Sequence, residues 1–302
     1  MNAEKPAIQI EGLERRYGRA EAVRGLSLQV EAGRCYGFFG RNGAGKTTTI
    51  KCLLNLLRPH AGTVRVFGLD PARDEVGVKQ RLAYVPDSVA FYPWMTVRET
   101  LDYLASFRDR WKRAIEAELL ARFRLDPSRK TSELSKGQRT QLALVAAICP
   151  EPELLVLDEP TSGLDPIVRR EFIETVIGAY QAGDPGRRTV FVSTHLIGEF
   201  EGLIDEFTIL DQGREVLTLG ADAARERYRR VCARFAQPPP PPPFDHVRVT
   251  RREGRDLELV VTDSAARVME WLKTLSPEML HAEALTLEEI FVATVKTGEA
   301  VP

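Results

Sequence analysis

The feature that most constrains this chain is a glycine-rich stretch, Gly40–Thr47, between a predicted strand and a predicted helix. Its sequence, GRNGAGKT, matches the pattern GxxxxGK[ST]. In this pattern glycines let the backbone N–H groups point at a phosphate, and the helix that follows adds its positive end. Lys46 is predicted to reach the β- and γ-phosphates of a nucleotide, and the Thr47 hydroxyl to bind Mg²⁺. The predicted phosphate cradle comprises Gly40, Asn42, Gly43, Ala44, Gly45, Lys46, Thr47 and Thr48.

Two acids follow a continuous apolar run, Leu154–Leu157, which is typical of a strand buried on both faces. Asp158 is predicted to enter the Mg²⁺ shell, and Glu159 to act as general base on the attacking water. Paired acids at the end of a strand can instead cap a helix. The apolar strand before them and Pro160 after them favour catalysis.

Further motifs identify a family. The segment Leu134–Gln138, LSKGQ, resembles the LSGGQ signature of ABC ATPases. In the same order as in that family, Tyr17 resembles the aromatic that stacks on adenine, Ser162–Asp165 resembles the D-loop, and His195 resembles the switch histidine at the γ-phosphate. The resemblance covers roughly residues 7 to 220. Tyr17 as a core aromatic and His195 as a structural histidine are the alternatives.

The expected fold class is α/β. Alternating strands and helices predict a mostly parallel core sheet. The resemblance implies a P-loop NTPase cassette of the ABC type, with an antiparallel β subdomain and a helical subdomain. The cassette is expected over residues 1–220, with the helical subdomain at about 88–150. A helix and a proline-rich linker are expected at 221–243, and a small α+β C-terminal appendage at 244–302.

The proline-rich part of this linker is Pro238–Pro243, six consecutive prolines that predict a stiff polyproline II spacer. A ligand for a proline-binding module is the alternative.

The resemblance also implies the mechanism: ATP and Mg²⁺ as cofactors, and ATP hydrolysis by two cassettes paired head to tail around two nucleotides. Each cassette would lend its signature helix, whose start favours an anion, to the triphosphate held by the other. The residues expected to serve this contact are Ser135, Gly137, Gln138 and Asp165. The chain carries one cassette, so its partner would be a second copy or a paralogue.

Two positions depart from the family pattern. Asp87 occupies the position where the family usually has glutamine. It would therefore either bind the metal or belong to a loop that lies further from the nucleotide. Lys136 replaces a glycine of the signature. Its ammonium could face the nucleotide across the interface or point to solvent.

The tail Leu285–Phe291 is similar to that of ABC-2 type exporter ATPases, the bacitracin-export group among them. A separate transmembrane permease is then the expected partner. Its cytoplasmic helix would dock between the Asp87–Val97 segment and the helical subdomain, against Phe91, Tyr92, Pro93 and Trp94, although ordinary packing explains these residues equally well. The expected location is cytoplasmic, at the inner face of the membrane.

Composition limits the other classes of function. Lys plus Arg (42) nearly balances Asp plus Glu (43), so no nucleic-acid partner is expected. The competing hypothesis is a non-transport ABC ATPase of the translation or repair type. Such proteins usually carry paired cassettes, zinc modules or coiled coils, none of which is predicted here.

Overall fold

The structure is a computed structural model that describes residues 5–181 and 188–297. The chain divides into two compact units between Glu215 and Val216. The cassette was predicted to extend to residue 220. The structure places the division earlier, within the strand Arg214–Gly220, because the second unit begins at Val216.

The core of the first unit is a six-stranded sheet in the order β5-β6-β7-β3-β8-β9. Pairs β5–β6, β6–β7, β7–β3 and β3–β8 are parallel, as the alternating element order predicts. Strands β3, β6 and β7 are buried along their whole length, so the sheet is covered on both faces. The strands are β3 (Cys35–Gly40), β5 (Leu82–Val85), β6 (Leu154–Asp158), β7 (Thr189–Thr194), β8 (Glu206–Asp211) and β9 (Arg214–Gly220).

A second, antiparallel sheet has the order β2-β1-β4. Its strands are β1 (Ile8–Tyr17), β2 (Ala20–Val30) and β4 (Ala61–Val66). Alternate residues of β2 are buried, which fits a sheet with one face in the core. This sheet agrees with the expected antiparallel β subdomain.

Helices surround these sheets: α1 (Lys46–Leu53), α2 (Glu75–Arg81), α3 (Val97–Ala105), α4 (Arg113–Arg122), α5 (Lys136–Ile148) and α6 (Pro166–Gln181). Helices α3 and α4 pack on α5 and form the helical subdomain. Helix α3 begins with a capping box, in which Thr96 accepts from the Glu99 N–H and Glu99 accepts from the Thr96 N–H. None of the helices in the described ranges is long and apolar enough to cross a membrane.

The second unit contains a four-stranded antiparallel sheet in the order β11-β12-β10-β13. Its elements are α7 (Ala221–Arg227), β10 (Arg229–Arg234), β11 (Val247–Glu253), β12 (Asp256–Val261), α8 (Ala265–Thr274), β13 (Met279–Ala284) and α9 (Leu287–Thr297). Residues 221–243 were expected to form a helix and a proline-rich linker. The helix is present as α7, but part of the expected linker is strand β10. Strand β10 lies inside the sheet, and its Val231 is buried in the same apolar cluster as Val268 and Leu272 of α8.

Candidate active site

The phosphate cradle joins the end of β3 to the start of α1. Gly45 precedes the helix with a φ of 106°, and Gly43 has a φ of 82°. A Cβ on Gly45 would lie 2.3 Å from the Ala22 carbonyl oxygen, and one on Gly40 would lie 2.6 Å from the Leu210 carbonyl oxygen. These positions therefore need glycine for backbone conformation, for close approach, or for both. The predicted cradle residues not yet placed are Asn42, which is exposed, Ala44, which is buried, and Thr48, which is half-buried.

Lys46 is the first residue of α1, and its side chain is only 5% exposed. Its Nζ donates to the Gly40 carbonyl oxygen at 2.7 Å and lies 2.9 Å from Oε1 of Glu159. The buried ammonium is thus compensated by a carboxylate and a backbone oxygen. The structure brings together the predicted phosphate ligand and the predicted general base.

Asp158 ends β6 and is completely buried. Its Oδ1 accepts from Thr47 Oγ1 at 3.2 Å and from Ser193 Oγ at 3.1 Å. Its Oδ2 is buried without a hydrogen bond of good geometry. Burial raises the pKa of Asp158, and the Thr47 and Ser193 hydroxyls act in the opposite direction. A buried carboxylate with one uncompensated oxygen, beside a hydroxyl, is a donor set that suits Mg²⁺.

Glu159 turns the chain just after β6, with a φ of 47° that is unusual for a residue with a side chain. Its N–H donates to the Ser193 carbonyl oxygen at 2.8 Å, which holds this turn. Its Oε2 lies 2.7 Å from Nδ1 of His195, while Oε1 faces Lys46. A carboxylate held between these two groups can accept a proton from a water beside the cradle.

Asp87 is exposed, and no hydrogen bond connects it with Thr47 or Asp158 in the part of the chain that the structure describes. It does lie in the electrostatic field of the site. Burial, then Asp158, then Asp87 raise the pKa of Tyr84, whose side chain stands near both acids. The predicted metal contact of Asp87 therefore stays a prediction.

Tyr17 ends β1 and is 47% exposed, so it is not a core aromatic. The guanidinium of Arg15 lies 5.2 Å from its ring centre. The adjacent strand β2 carries Ala22, whose carbonyl oxygen limits the space at Gly45. The end of this hairpin therefore lies beside the cradle, where the Tyr17 ring is about half exposed.

The signature residues lie at the start of α5. Ser135 Oγ accepts from the Gln138 N–H at 3.1 Å, and Gln138 Oε1 accepts from the Ser135 N–H at 3.1 Å. Asp165 similarly caps α6 by accepting from the N–H groups of Ile167 and Val168. These side chains bind their own helix starts. In contrast, Glu159 contacts both Lys46 and His195, and Asp158 accepts hydrogen bonds from Thr47 and Ser193.

The sequence reasoning did not assign a role to the Ser193 hydroxyl. Ser193 lies opposite Asp158 where the parallel strands β6 and β7 pair. A polar residue at the carboxyl end of a strand beside the acidic one is the signal that could have found it, since ligands of such sheets bind at that edge.

Comparisons with known proteins agree with this geometry. Residues 23–162 match the model of the family described as ABC transporter. The chain is 37% identical over 214 residues to the Nod factor export ATP-binding protein I of Burkholderia orbicola, covering 69% of each protein. It is 38% identical to the daunorubicin resistance ATP-binding protein DrrA3 of Streptomyces coeruleorubidus, covering 72% of this chain and 69% of that protein. It is 33% identical to the bacitracin transport ATP-binding protein BcrA of Bacillus licheniformis, covering 74% and 72%.

Two solved structures share the fold. An ATP-binding subunit of an ABC transporter superposes with a TM-score of 0.66 at 28% identity, covering 73% of this chain and 92% of that one. The dimeric bacterial cassette MJ0796 gives a TM-score of 0.62 at 20% identity, covering 71% and 98%, which supports the fold alone. Given the cradle, the acidic pair and these relatives, this chain belongs to the ABC transporter family and is one of its ATP-binding, ATP-hydrolysing cassettes.

Proposed function

We propose that this chain is the motor subunit of an exporter, which pairs with a second copy or a paralogue around two ATP molecules and drives a separate membrane permease. The named relatives are ATP-binding proteins of Nod factor export, daunorubicin resistance and bacitracin transport, which supports this class of function. The proposed location is the cytoplasmic face of the membrane, where ATP and the permease are both accessible.

The hydrolytic role follows from the cluster around Glu159. A triphosphate in the cradle carries more negative charge than a carboxylate, so Lys46 would exchange Glu159 Oε1 for phosphate oxygens. That exchange would release one oxygen of Glu159 to accept the proton of the attacking water, while His195 keeps the other in place. Thr47 and Asp158 are the residues that would hold Mg²⁺, which neutralises charge on the phosphates when bound.

The observation that carries the permease proposal is a groove in the first unit, with a volume of about 290 Å³, whose lining residues are mostly apolar. It lies between the segment after β5 and helices α3 and α5, where docking was predicted. Of the four residues predicted to contact the permease, Phe91 lines this groove, and Tyr92, Pro93 and Trp94 do not. The lining residues are Ala83, Tyr84, Pro86, Val89, Ala90, Phe91, Leu104, Phe107, Arg108, Trp111, Ala143, Ala146 and Ala147.

Exposed aromatic rings continue from the groove. Phe107 lines it and is 60% exposed, and its ring meets Tyr103 at 5.0 Å between centroids. Tyr103 meets Tyr92 at 5.9 Å, and Tyr92 meets Trp94 at 4.9 Å. A contiguous row of exposed rings beside a groove of mostly apolar residues is typical of a surface that a helix of another protein covers. Tyr84 belongs both to the groove and to the surroundings of Asp158, so an occupant would touch the catalytic strand.

The test is co-purification with a multi-span membrane protein, sought first among the products of the genes that neighbour the gene of this chain. Phe107→Glu should lower its recovery from detergent extract at least about tenfold, because burying an aromatic side chain contributes about 1.5–3 kcal/mol and a buried carboxylate adds a penalty. Val76→Glu is the matched control, since Val76 is 72% exposed on α2 and does not line the groove. Undiminished recovery with Phe107→Glu would reject the docking site. Recovery of the chain with ribosomes instead of membranes would favour the soluble ABC ATPase.

A further inference from the structure

Lys136, which replaces a glycine in the signature, forms a hydrogen bond within its own chain. It is the first residue of α5, and its Nζ donates to the carbonyl oxygen of Ser162 at 2.7 Å. Ser162 begins the short D-loop, which was identified by its sequence, Ser162–Asp165. The extra side chain therefore connects two motifs that are 26 residues apart in the sequence.

The geometry of the D-loop presents this carbonyl group to Lys136. Gly163 has a φ of 70°, and a Cβ on it would lie 3.0 Å from Lys136 Nζ. The Leu164 N–H donates to the Thr161 carbonyl oxygen at 3.2 Å, which closes the turn. Glycine at position 163 thus serves both the left-handed backbone and the close approach of the ammonium.

A second cation holds the other end of the same turn. Arg169 Nη2 donates to the Leu164 carbonyl oxygen at 3.1 Å, and Arg169 Nη1 lies 2.6 Å from Oε1 of Glu199. Glu199 follows His195 by four residues, in a short 3₁₀ turn. The D-loop is thus attached to α5 through Lys136 and to the segment after His195 through Arg169.

The start of α5 also packs closely against α6. A Cβ on Gly137 would lie 3.2 Å from Val168 Cγ1 and 3.8 Å from Leu164 Cδ2. The start of α5 and the D-loop are therefore in contact through apolar groups. At the surface, the hydrogen bond from Lys136 fixes their relative position. A single exposed hydrogen bond adds little stability, but it selects one geometry of two adjoining segments.

We propose that Lys136 is a positioning residue that holds the D-loop in a fixed place relative to the signature helix. This inference rests on the proposed pairing of cassettes, in which the signature helix reaches the other subunit's triphosphate. Lys136 delivers the D-loop to that interface together with Ser135, so that both segments arrive in one arrangement. Its ammonium acts within its own chain and does not contact the partner's nucleotide.

The first test is hydrogen–deuterium exchange of the peptide covering residues 160–166 in the nucleotide-free, monomeric chain. Lys136→Met should speed exchange of the Ser162 and Leu164 amides by roughly three- to tenfold, the change expected for loss of one hydrogen bond. Lys136→Arg should restore slow exchange, because it keeps a donor of similar length. Lys273→Met, an exposed lysine of α8, is the control and should change nothing in this peptide.

The second test is steady-state ATPase kinetics. Lys136→Met should lower kcat severalfold with KM for ATP unchanged, and Lys136→Arg should recover kcat. Unchanged exchange of the D-loop in Lys136→Met, or a raised KM for ATP, would overturn the proposal in favour of a direct contact with nucleotide. The exchange experiment uses the isolated chain, so its result is independent of whether the permease proposal succeeds.

Discussion

At the residue scale, Glu159 lies between two groups that a bound nucleotide would reorganise. Lys46 and Glu159 are 5% and 11% exposed, so their ion pair is largely shielded from water. Charges shielded from water interact strongly, so this ion pair separates only when another group of opposite charge replaces one of its members. In the nucleotide-free site the proposed general base, Glu159, is therefore paired with Lys46, and arrival of the triphosphate is what would make it available.

Asp87 provides the residue-scale prediction. It adds a negative charge beside Tyr84, near the buried carboxyl of Asp158, where the family pattern has a neutral amide. Asp87→Gln should change the ATPase rate or its coupling to the permease by a fewfold, since an exposed charge contributes on the order of 1 kcal/mol. ATP affinity should stay nearly the same, because the cradle contacts are made by other residues.

The measurement for this variant is steady-state ATPase, with and without the permease, together with equilibrium ATP binding. Asp87→Asn is the companion variant, because it removes the charge and keeps the side-chain length. If Asp87→Gln leaves both ATPase and transport unchanged, position 87 has no special role.

At the element scale, the proline run differs from its prediction. Pro239 is buried, Pro242 is half-buried, and the other four prolines are exposed. This threefold spacing is that of one face of a polyproline II helix packed on a surface. Arg252 of β11 donates to the Pro239 carbonyl oxygen at 2.6 Å. The run therefore connects β10 and β11 within one folded unit. Its stiffness lowers the conformational entropy of the unfolded chain, which stabilises the folded state.

Replacing Pro238–Pro243 with a glycine–serine segment of equal length should destabilise the second unit. Loss of proline costs about 0.4–1 kcal/mol per compatible position, so roughly 2–6 kcal/mol is expected for the run. Urea unfolding can be followed by the fluorescence of Trp271, in a background where Trp94 and Trp111 are replaced by phenylalanine. An unchanged unfolding midpoint would mean that the run is the independent linker that its composition suggests.

These elements show which features a sequence can predict. The cradle and the α3 capping box are local, since Gly45 and Lys46 or Thr96 and Glu99 lie within one turn of chain. The hydrogen bond from Ser193 to Asp158 depends on which strands are neighbours, which a single sequence does not specify. Strand β10 was missed because its arginines suggest a solvated helix, and burial of Val231 against α8 outweighs that local pattern.

At the scale of the whole molecule, the chain carries one cradle and one signature helix, each with its own contacts. Lys46, Asp158 and Glu159 are the residues proposed to bind phosphate and Mg²⁺ and to activate water. The anion-favouring start of α5 at Ser135 is occupied by its own capping box. Under the proposed pairing, a closed catalytic site would consist of two cassettes, each offering the start of its α5 to the other's nucleotide.

This requirement can be tested with Glu159→Gln, which keeps the shape of the side chain and removes its basicity. The variant should bind ATP, lose about 10²- to 10⁴-fold in turnover, and accumulate as a dimer in the presence of ATP and Mg²⁺. Light scattering on a size-exclusion column measures the mass, and filter binding measures retained ATP. Lys46→Ala is the negative control, because without its ammonium the chain should bind no nucleotide and stay monomeric.

Glu159→Gln is expected to accumulate as a dimer because it does not hydrolyse ATP. The intact triphosphate would keep bridging the cradle of one chain and the α5 of the other. Binding should then depend on chain concentration as well as on ATP, because each closed site needs residues of both subunits. Full hydrolysis by Glu159→Gln would reject Glu159 as the base. An ATP-loaded, hydrolysis-deficient chain that remained monomeric at high concentration, even beside its permease, would reject the paired motor, because Ser135 would then have no triphosphate to meet.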